Sequence, residues 1–167
     1  MSSEEILAQT RQWVEDFIIG LNMCPFAKAP ALRQGIRYIQ SRVSQEEERF
    51  AELLHECALL ADKDGPETTL YVISEGLQHF ETFLVFCDLA EAVIDATEHG
   101  AYVQLVSFHP HYCFEGADIT DAANATNQSP YPMIHLLKRA DVAAAIDAHP
   151  DIQQIPIDNI KRLREGH

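Results

Sequence analysis

Basic residues are scarce in this chain of 167 residues, which has 12 Lys and Arg against 26 Asp and Glu and a formal net charge of −14 at pH 7. Nucleic acid and anionic membrane surfaces both require cations on the protein. The shortage of positive charge therefore predicts that neither is a partner. Most of the acidity falls in residues 44–98, where 14 acidic residues against two basic ones give a net charge of −12. The solvated faces of two helices account for such an excess.

Glycine, paired cysteines and long apolar runs are also missing. There are seven glycines, with neither G-x-G-x-x-G nor G-x-x-x-x-G-K among them, so nucleotide binding by a glycine-rich phosphate loop is not expected. The four cysteines are separated by 33, 30 and 26 residues, which excludes the spacing of a zinc ribbon. No apolar run approaches the roughly 18 residues of a membrane span, and no basic segment followed by an apolar core opens the chain. We therefore expect no transmembrane helix, no signal peptide and a cytoplasmic location with free thiols.

Helices that alternate with strands are the main pattern present. Hydrophobic periodicity predicts helices over 3–20, 44–64, 79–98, 142–149 and 157–165, and strands over 36–43, 68–74, 101–108 and 133–137. Ser2 with Glu5 and Ser44 with Glu47 have the spacing of capping boxes, and Asp141 is placed to cap a helix. The pattern predicts an α/β or α+β fold, with 1–167 as one domain. Its mixed, mostly parallel sheet has about four strands covered by helices, and the fourth strand can be antiparallel.

Residues 109–132 break both the helical and the strand period. They contain four prolines or glycines, yet Tyr112, Phe114 and Tyr131 make disorder an unsuitable description. The segment follows the carboxyl end of a strand, which is where open α/β sheets bind ligands. We expect a long ordered loop that folds over the sheet edge and walls a pocket.

This loop carries a possible metal site. His109, His111 and Cys113 alternate, so an extended chain would project them to one face, and His135 follows at the far end of the loop. Imidazole and thiolate ligands suit zinc, copper or iron, so a divalent transition metal is a possible cofactor, with His109 and His135 the favoured ligands. Alternatively, His109 only hydrogen-bonds a loop carbonyl.

Cys24 is a candidate nucleophile, because it lies in a turn before Pro25 and off any helical stripe. A cysteine nucleophile requires a base and a group that orients the base. His109 or His135 can be that base, and Asn127 the orienting or oxyanion-binding group. A buried structural thiol is the alternative. Nearby, the prolines at 130 and 132 make a rigid frame on which Ser129 and Tyr131 can line a pocket.

Half of the cations fall near these segments: Lys28, Arg33, Arg37, Arg42, Lys138 and Arg139. If the segments converge, the pocket is locally positive within an acidic protein. A small anion such as a carboxylate or a phosphate would suit such a pocket.

Three blocks carry a family resemblance: GLNMCPFAKA at 20–29, SFHPHYCFEG at 107–116 and NATNQSPYPMIHLLKRA at 124–140. Together they resemble the signature blocks of a bacterial family known only as a domain of unknown function (number 1415), over nearly the whole chain. The family implies no established activity. An acidic residue usually stands in the place of His111, which weakens the H-x-H-x-C pattern as a ligand set.

The hypothesis that follows is a small cytoplasmic enzyme that acts on a small anionic metabolite. Its catalytic residues would be Cys24, His109, Asn127 and His135. Its substrate-binding residues would be Asn22, Ser107, Tyr112, Ser129 and Tyr131. Two alternatives remain open: a non-catalytic metal- or ligand-binding module, and an interaction protein whose acidic helices dock a basic partner.

Overall fold

The computed structural model describes residues 1–19, 34–148, 151 and 154–166. Five α-helices lie within them: α1 (Ser3–Trp13), α2 (Glu46–Ala61), α3 (Phe80–Asp95), α4 (Arg139–Ala148) and α5 (Gln154–Arg164). A π-helical turn, Val14–Ile19, continues α1, and short 3-10 helices span Glu98–Ala101 and Ala122–Asn127. The strands are β1 (Ile36–Gln40), β2 (Thr68–Val72), β3 (Val103–Phe108) and β4 (Met133–Lys138).

The four strands form one sheet in the order β1-β2-β4-β3. β1 and β2 are parallel, whereas β4 is antiparallel to both β2 and β3. The sheet is therefore mixed, as predicted, and fits the α+β alternative. The prediction that it is mostly parallel is wrong.

The position of β4 explains the error. β1, β2 and β3 all run in one direction, as strands joined by helical crossovers should. The crossover through α3 leaves a gap between β2 and β3, and β4 enters that gap from the opposite direction. Two of the three ladders thereby become antiparallel. Helix–strand alternation determines strand direction but does not show that a later strand is inserted.

The sheet is covered on both faces. Tyr71 and Ile73 of the β2 segment point to the face packed by α2 and α3, where Phe83 and Phe86 are buried. Leu70 and Val72 point to the face packed by α1, beside Ile6. This alternation follows from the two-residue period of a strand, and it assigns each later site residue to one face.

The helix ends agree only partly with the predicted caps. Ser2 and Glu5 form the predicted capping box of α1. The second predicted box is wrong, because α2 begins after Gln45, whose side chain makes no cap hydrogen bond. Asp141 is not a cap either, since α4 begins at Arg139 directly after β4. No helix within the described residues is long and apolar enough to cross a bilayer.

An ion pair between Arg37 and the buried Glu56 lies on the face of the sheet that α2 and α3 cover. Arg37 of β1 donates two hydrogen bonds to Glu56 of α2, with Nε–Oε2 at 2.7 Å and Nη2–Oε1 at 3.2 Å. The Glu56 side chain is 1% exposed and that of Arg37 40% exposed. The pair ties the β1 edge strand to α2.

Arg37→Met should therefore lower the free energy of unfolding by about 3 kcal/mol, because it leaves the Glu56 carboxylate buried without its cation. Urea unfolding would measure the loss. Arg139→Met is the matched control, since Arg139 and Asp95 form an exposed pair at 3.9 Å that contributes about 0–1 kcal/mol. Equal effects of the two substitutions would contradict this account.

Candidate functional site

Most predicted site residues lie at or near one edge of the sheet. β1, β2 and β3 end there at Gln40, Val72 and Phe108, and β4 begins there because Met133 pairs with both Val72 and Phe108. We name it the carboxyl edge. The chain leaves the sheet at Phe108 and returns at Met133 along this same edge, so the 109–132 loop starts and finishes on it.

His109 is the residue around which this loop is built. Its side chain is fully buried beside Phe80 and Phe83, with ring centroids 5.3 and 5.0 Å apart. Nε2 donates to the carbonyl of Leu77 at 3.0 Å, and Nδ1 accepts from the backbone N–H of His111 at 3.0 Å. Burial lowers the pKa of His109, which keeps the ring neutral. Both ring nitrogens are thus hydrogen-bonded to backbone groups inside the fold.

The carbonyl that His109 binds belongs to a left-handed turn. Gly76 has φ +76° and Leu77 has φ +59°. A left-handed conformation is unusual for leucine and costs about 1–2 kcal/mol. The hydrogen bond from His109 is a specific interaction that offsets this cost.

His135 lies in the middle of β4, between Leu70 of β2 and Val106 of β3, on the α1 face. The residue is 2% exposed, and its Nε2 is buried without a hydrogen-bond partner. Burial lowers the pKa of His135 to about 4. The ring is therefore neutral at pH 7.

The two predicted metal ligands do not come together. His109 packs against Phe83 on the α3 face, whereas His135 points to the α1 face through strand alternation. One ion cannot bind both rings. The described part of the chain contains no group of three or more His, Cys, Asp and Glu side chains arranged to hold a metal ion.

Asn127 and Ser129 close the loop onto β3. Nδ2 of Asn127 donates to the backbone carbonyl of Ser107 at 3.0 Å. The backbone carbonyl of Asn127 accepts from the backbone N–H of His109 at 3.1 Å. Ser129 is buried and donates from Oγ to the carbonyl of Tyr131 at 2.6 Å. These polar groups pair with backbone groups of the loop and of β3.

Tyr112 and Ser107 lie together on the face of the sheet that α2 and α3 cover. Tyr131 lies on the face that α1 covers. Tyr112 packs against Phe80 with ring centroids 5.0 Å apart. Burial raises the pKa of Tyr112, and a hydrogen bond with the Ser107 side chain partly opposes the rise. Tyr131 packs in the α1 core and donates to Oε1 of Gln9 at 2.5 Å.

The remaining predicted residues, Asn22 and Cys24, lie outside the described residues. Cys113 is described, and it is engaged within its own loop: Asn124 donates to its Sγ at 3.7 Å, and Sγ lies 3.6 Å from the carbonyl of Ala117. The predicted H-x-H-x-C ligand set is therefore not formed as one face.

A cleft of about 670 Å³ opens at the carboxyl edge beyond the parallel pair β1 and β2. Its lining consists of residues 40–44 and 74–76 with Ser3 and Arg49. The expectation of a pocket at the carboxyl end of parallel strands is consistent with this cleft. The wall, however, is built by the segments after β1 and β2, and no lining residue comes from the 109–132 loop.

Arg49 of α2 forms the cationic part of the cleft. The residue is 6% exposed, its Nη2 donates to the carbonyl of Glu75 at 2.7 Å, and its Nε is buried without a partner. Among the described residues no carboxylate lies within ion-pair distance of it. Gly76 permits the approach, since a Cβ there would lie 3.1 Å from Nη2.

Arg49 was missed by the sequence analysis, although a signal for it exists. It shares the buried stripe of α2 with Leu53, Cys57 and Leu60, at helical spacing. A lone arginine on an apolar stripe is a buried cation that requires an explanation. The described cations that the sequence analysis singled out behave differently: Arg37 and Arg139 are paired with carboxylates, and Arg42 lines the cleft. Lys28 and Arg33 lie outside the described residues.

A directed chain of hydrogen bonds follows the cleft wall. Arg42 donates to Oγ of Ser3 at 3.2 Å, Ser3 donates to Oε1 of Gln40, and Gln40 donates to Oγ of Ser74 at 2.5 Å. Every donor points toward Ser74. The Ser74 hydroxyl keeps its own proton, for which no described residue is the acceptor.

The Glu52 carboxylate of α2 accepts two hydrogen bonds at one of its oxygens. Oε2 of Glu52 accepts from Ser41 at 2.8 Å and from Tyr71 at 2.5 Å. Burial and this hydrogen bond raise the pKa of Tyr71. Glu52 is thereby held in place by both hydroxyls and does not reach Arg49.

The fold and the site define an α+β protein with a polar, arginine-containing cleft at the carboxyl edge of a parallel strand pair. A family model described as "Protein of unknown function (DUF1415)" matches residues 5–167. The chain belongs to this family, which confirms the family membership that the resemblance predicted. Searches of curated proteins and of solved structures each gave no match.

The hydrogen bonds of His109 lead to a first prediction. His109→Phe keeps the ring contacts with Phe80 and Phe83 but leaves the Leu77 carbonyl and the His111 N–H unpaired, at about 1–3 kcal/mol for each group. We expect a lower free energy of unfolding in urea and faster hydrogen exchange across 110–129. His111→Phe is the control, since its ring is exposed. Unchanged exchange in His109→Phe would contradict the role given to this histidine.

His135 leads to a prediction about pH. Its folded pKa of about 4 lies below the usual 6.5, so the unfolded chain binds more protons between these values. Stability is complete above about pH 6.5 and falls by about 3 kcal/mol as the pH approaches 4. His135→Leu should remove most of this loss, and the lowered pKa of His109 leaves a smaller slope of the same sign. Urea unfolding across this range measures it, with exposed His55→Gln as control; an unchanged slope in His135→Leu would refute the assignment.

Proposed function

We propose that this protein binds a small anionic metabolite in the cleft beyond β1 and β2. The observation that carries the proposal is Arg49, a buried guanidinium with no carboxylate partner among the described residues and a buried, unpartnered Nε. An isolated buried charge is costly unless a counter-charge compensates it. A ligand anion in the cleft that Arg49 lines would supply that compensation.

The other groups of the cleft support the same proposal. Arg42 adds a second cation at the exposed rim, and Ser74 presents a hydroxyl proton. Guanidinium and hydroxyl donors are the groups that bind carboxylates and phosphates. The volume of about 670 Å³ lies in the usual range for small-molecule sites.

The acidity of the rest of the protein limits the size of the ligand. Glu46, Glu47 and Glu48 form the first turn of α2, next to the cleft, and the chain carries −14 overall. These carboxylates repel an extended polyanion, whereas a small anion can reach Arg49 inside the cleft. Binding of nucleic acid is therefore not part of the proposal.

Catalysis at Cys24 and docking of a basic partner both stay predictions. We propose binding rather than catalysis, because His109 and Asn127 are engaged in hydrogen bonds to backbone groups that hold the loop. An enzyme would use the same cleft to hold its substrate.

Arg49→Met tests the proposal, with orthophosphate and succinate as probes of the two anion classes. At a hundredfold excess over Kd, a bound anion stabilises the native protein by about 2.7 kcal/mol, which raises Tm by about 5–10 °C. We expect at least one of the two anions to stabilise the unsubstituted protein. Arg49→Met should weaken that binding by about 30-fold or more, since a buried charge contact is worth about 2 kcal/mol or more.

The same variant separates a binding role from a structural one. Arg49→Met removes an uncompensated buried charge together with the hydrogen bond to the Glu75 carbonyl, so the free energy of unfolding without ligand should change by no more than about 1 kcal/mol, whereas loss of a purely structural arginine would lower it by about 3 kcal/mol or more. Arg139→Met is the control, because Arg139 lies in an exposed pair away from the cleft lining. Retention of anion binding by Arg49→Met would overturn the proposal.

A further inference from the structure

Most of the side chains that line the cleft are polar or charged. Among the described lining residues, Val43 is the only apolar side chain and none is aromatic. Small-molecule sites are ordinarily lined mostly by apolar and aromatic groups, and bases of nucleotides are held by stacking on aromatic rings. The base of a nucleoside therefore has no aromatic ring to stack on among the described lining residues. The lining suits a hydrophilic ligand.

Resting on the proposed function, we infer that the ligand of this cleft is a monophosphate ester of a small polyhydroxylated compound, of the sugar phosphate or polyol phosphate class. Two guanidinium groups, Arg42 and Arg49, line the cleft. A phosphate monoester carries about −1.5 to −2 charges at pH 7 and presents three acceptor oxygens. A single carboxylate has half that charge and two oxygens.

The directed hydrogen-bond chain favours an acceptor at the same place. Because each donor from Arg42 through Ser3 and Gln40 points toward Ser74, the chain ends in a free O–H at the cleft. Hydrogen bonds in such a chain polarise one another, which strengthens the terminal donor. With Arg42 and Arg49, which also line the cleft, the Ser74 hydroxyl offers hydrogen bonds that phosphate oxygens can accept.

Glu75 favours neutral hydroxyl groups, whereas the arginines favour an anion. It is exposed, lines the cleft, and is the one acidic side chain among the described lining residues. Its carboxylate accepts hydrogen bonds from hydroxyl groups and repels a second anionic group. A ligand with one phosphate and several hydroxyls can pair with the arginines and with the Glu75 carboxylate, whereas citrate or a bisphosphate would place a further negative charge near Glu75.

The volume requires a body beyond the phosphate. A cleft of about 670 Å³ is several times larger than one tetrahedral anion. Ser44, exposed at the rim, adds another hydroxyl for a polar body. A sugar or polyol of three to six carbons fits this space and replaces the water that the polar wall would otherwise bind.

Isothermal titration calorimetry of the full chain tests this inference with glucose 6-phosphate, glycerol 3-phosphate, orthophosphate, AMP, gluconate and citrate. At least one of the first two should bind about tenfold or more tightly than each of the others, since unpaired polar groups in the cleft penalise the wrong ligand. If orthophosphate binds as tightly, or if AMP, gluconate or citrate binds more tightly, the inference is overturned while the proposed anion site stands. If none of the six binds, both fall.

Glu75→Ala gives a readout that a general loss of structure would not. We expect it to weaken the sugar or polyol phosphate and to strengthen orthophosphate and citrate, so that the ratio of affinities moves toward one by about tenfold. Glu165→Ala is the matched control, because Glu165 is exposed and lies outside the cleft lining. An unchanged ratio in Glu75→Ala would contradict the role of Glu75 in recognising hydroxyls.

Discussion

The hydrogen bonds of His109 are the constraint on which the carboxyl edge depends. The neutral imidazole of His109 joins the Leu77 carbonyl on one side to the His111 N–H on the other. The backbone of His109 pairs with the backbones of Asn127 and Ser129. The loop from 109 to 132 would otherwise leave many backbone groups without partners, since it has little regular structure. Burial keeps the pKa of His109 low, so the ring stays in the neutral form that can donate from one nitrogen and accept at the other.

The same histidine links the loop to the cleft. Leu77, whose carbonyl it binds, follows Gly76 in a left-handed turn, and the carbonyl of Glu75 just before the turn accepts from Arg49. His109 and Arg49 thus hold the two ends of one short segment between β2 and α3. A displaced turn would alter the position of Arg49 and of the Glu75 side chain together. Residues far from the cleft in sequence therefore fix its shape without lining it.

The sequence predicted the secondary-structure elements well, but it predicted poorly which residues lie close together in the fold. Every predicted strand exists, because β-branched runs and alternation are local signals, and the Ser2–Glu5 capping box formed for the same reason. The insertion of β4 between β2 and β3 was not predictable from local pattern, since it depends on which strand edge the returning chain meets. His109 and His135 were assigned to one site for their chemistry. A strand's two-residue period instead placed them on opposite faces. The sequence did not point to Arg49, because the three glutamates directly before it are typical of a solvated helix face, whereas Arg49 itself lies on the buried stripe.

The three sequence blocks on which the family resemblance was based contain none of the described residues that line the cleft. His109, Asn127 and Ser129, all in the signature blocks, satisfy backbone groups along the carboxyl edge, whereas Arg49, Ser74 and Glu75 lie outside those blocks. The acidic body adds a further consequence, because a field of −14 charges does not steer an anion toward the protein. Affinity for an anion must then arise from contact with Arg49 and the donors near it, at distances where salt screens little.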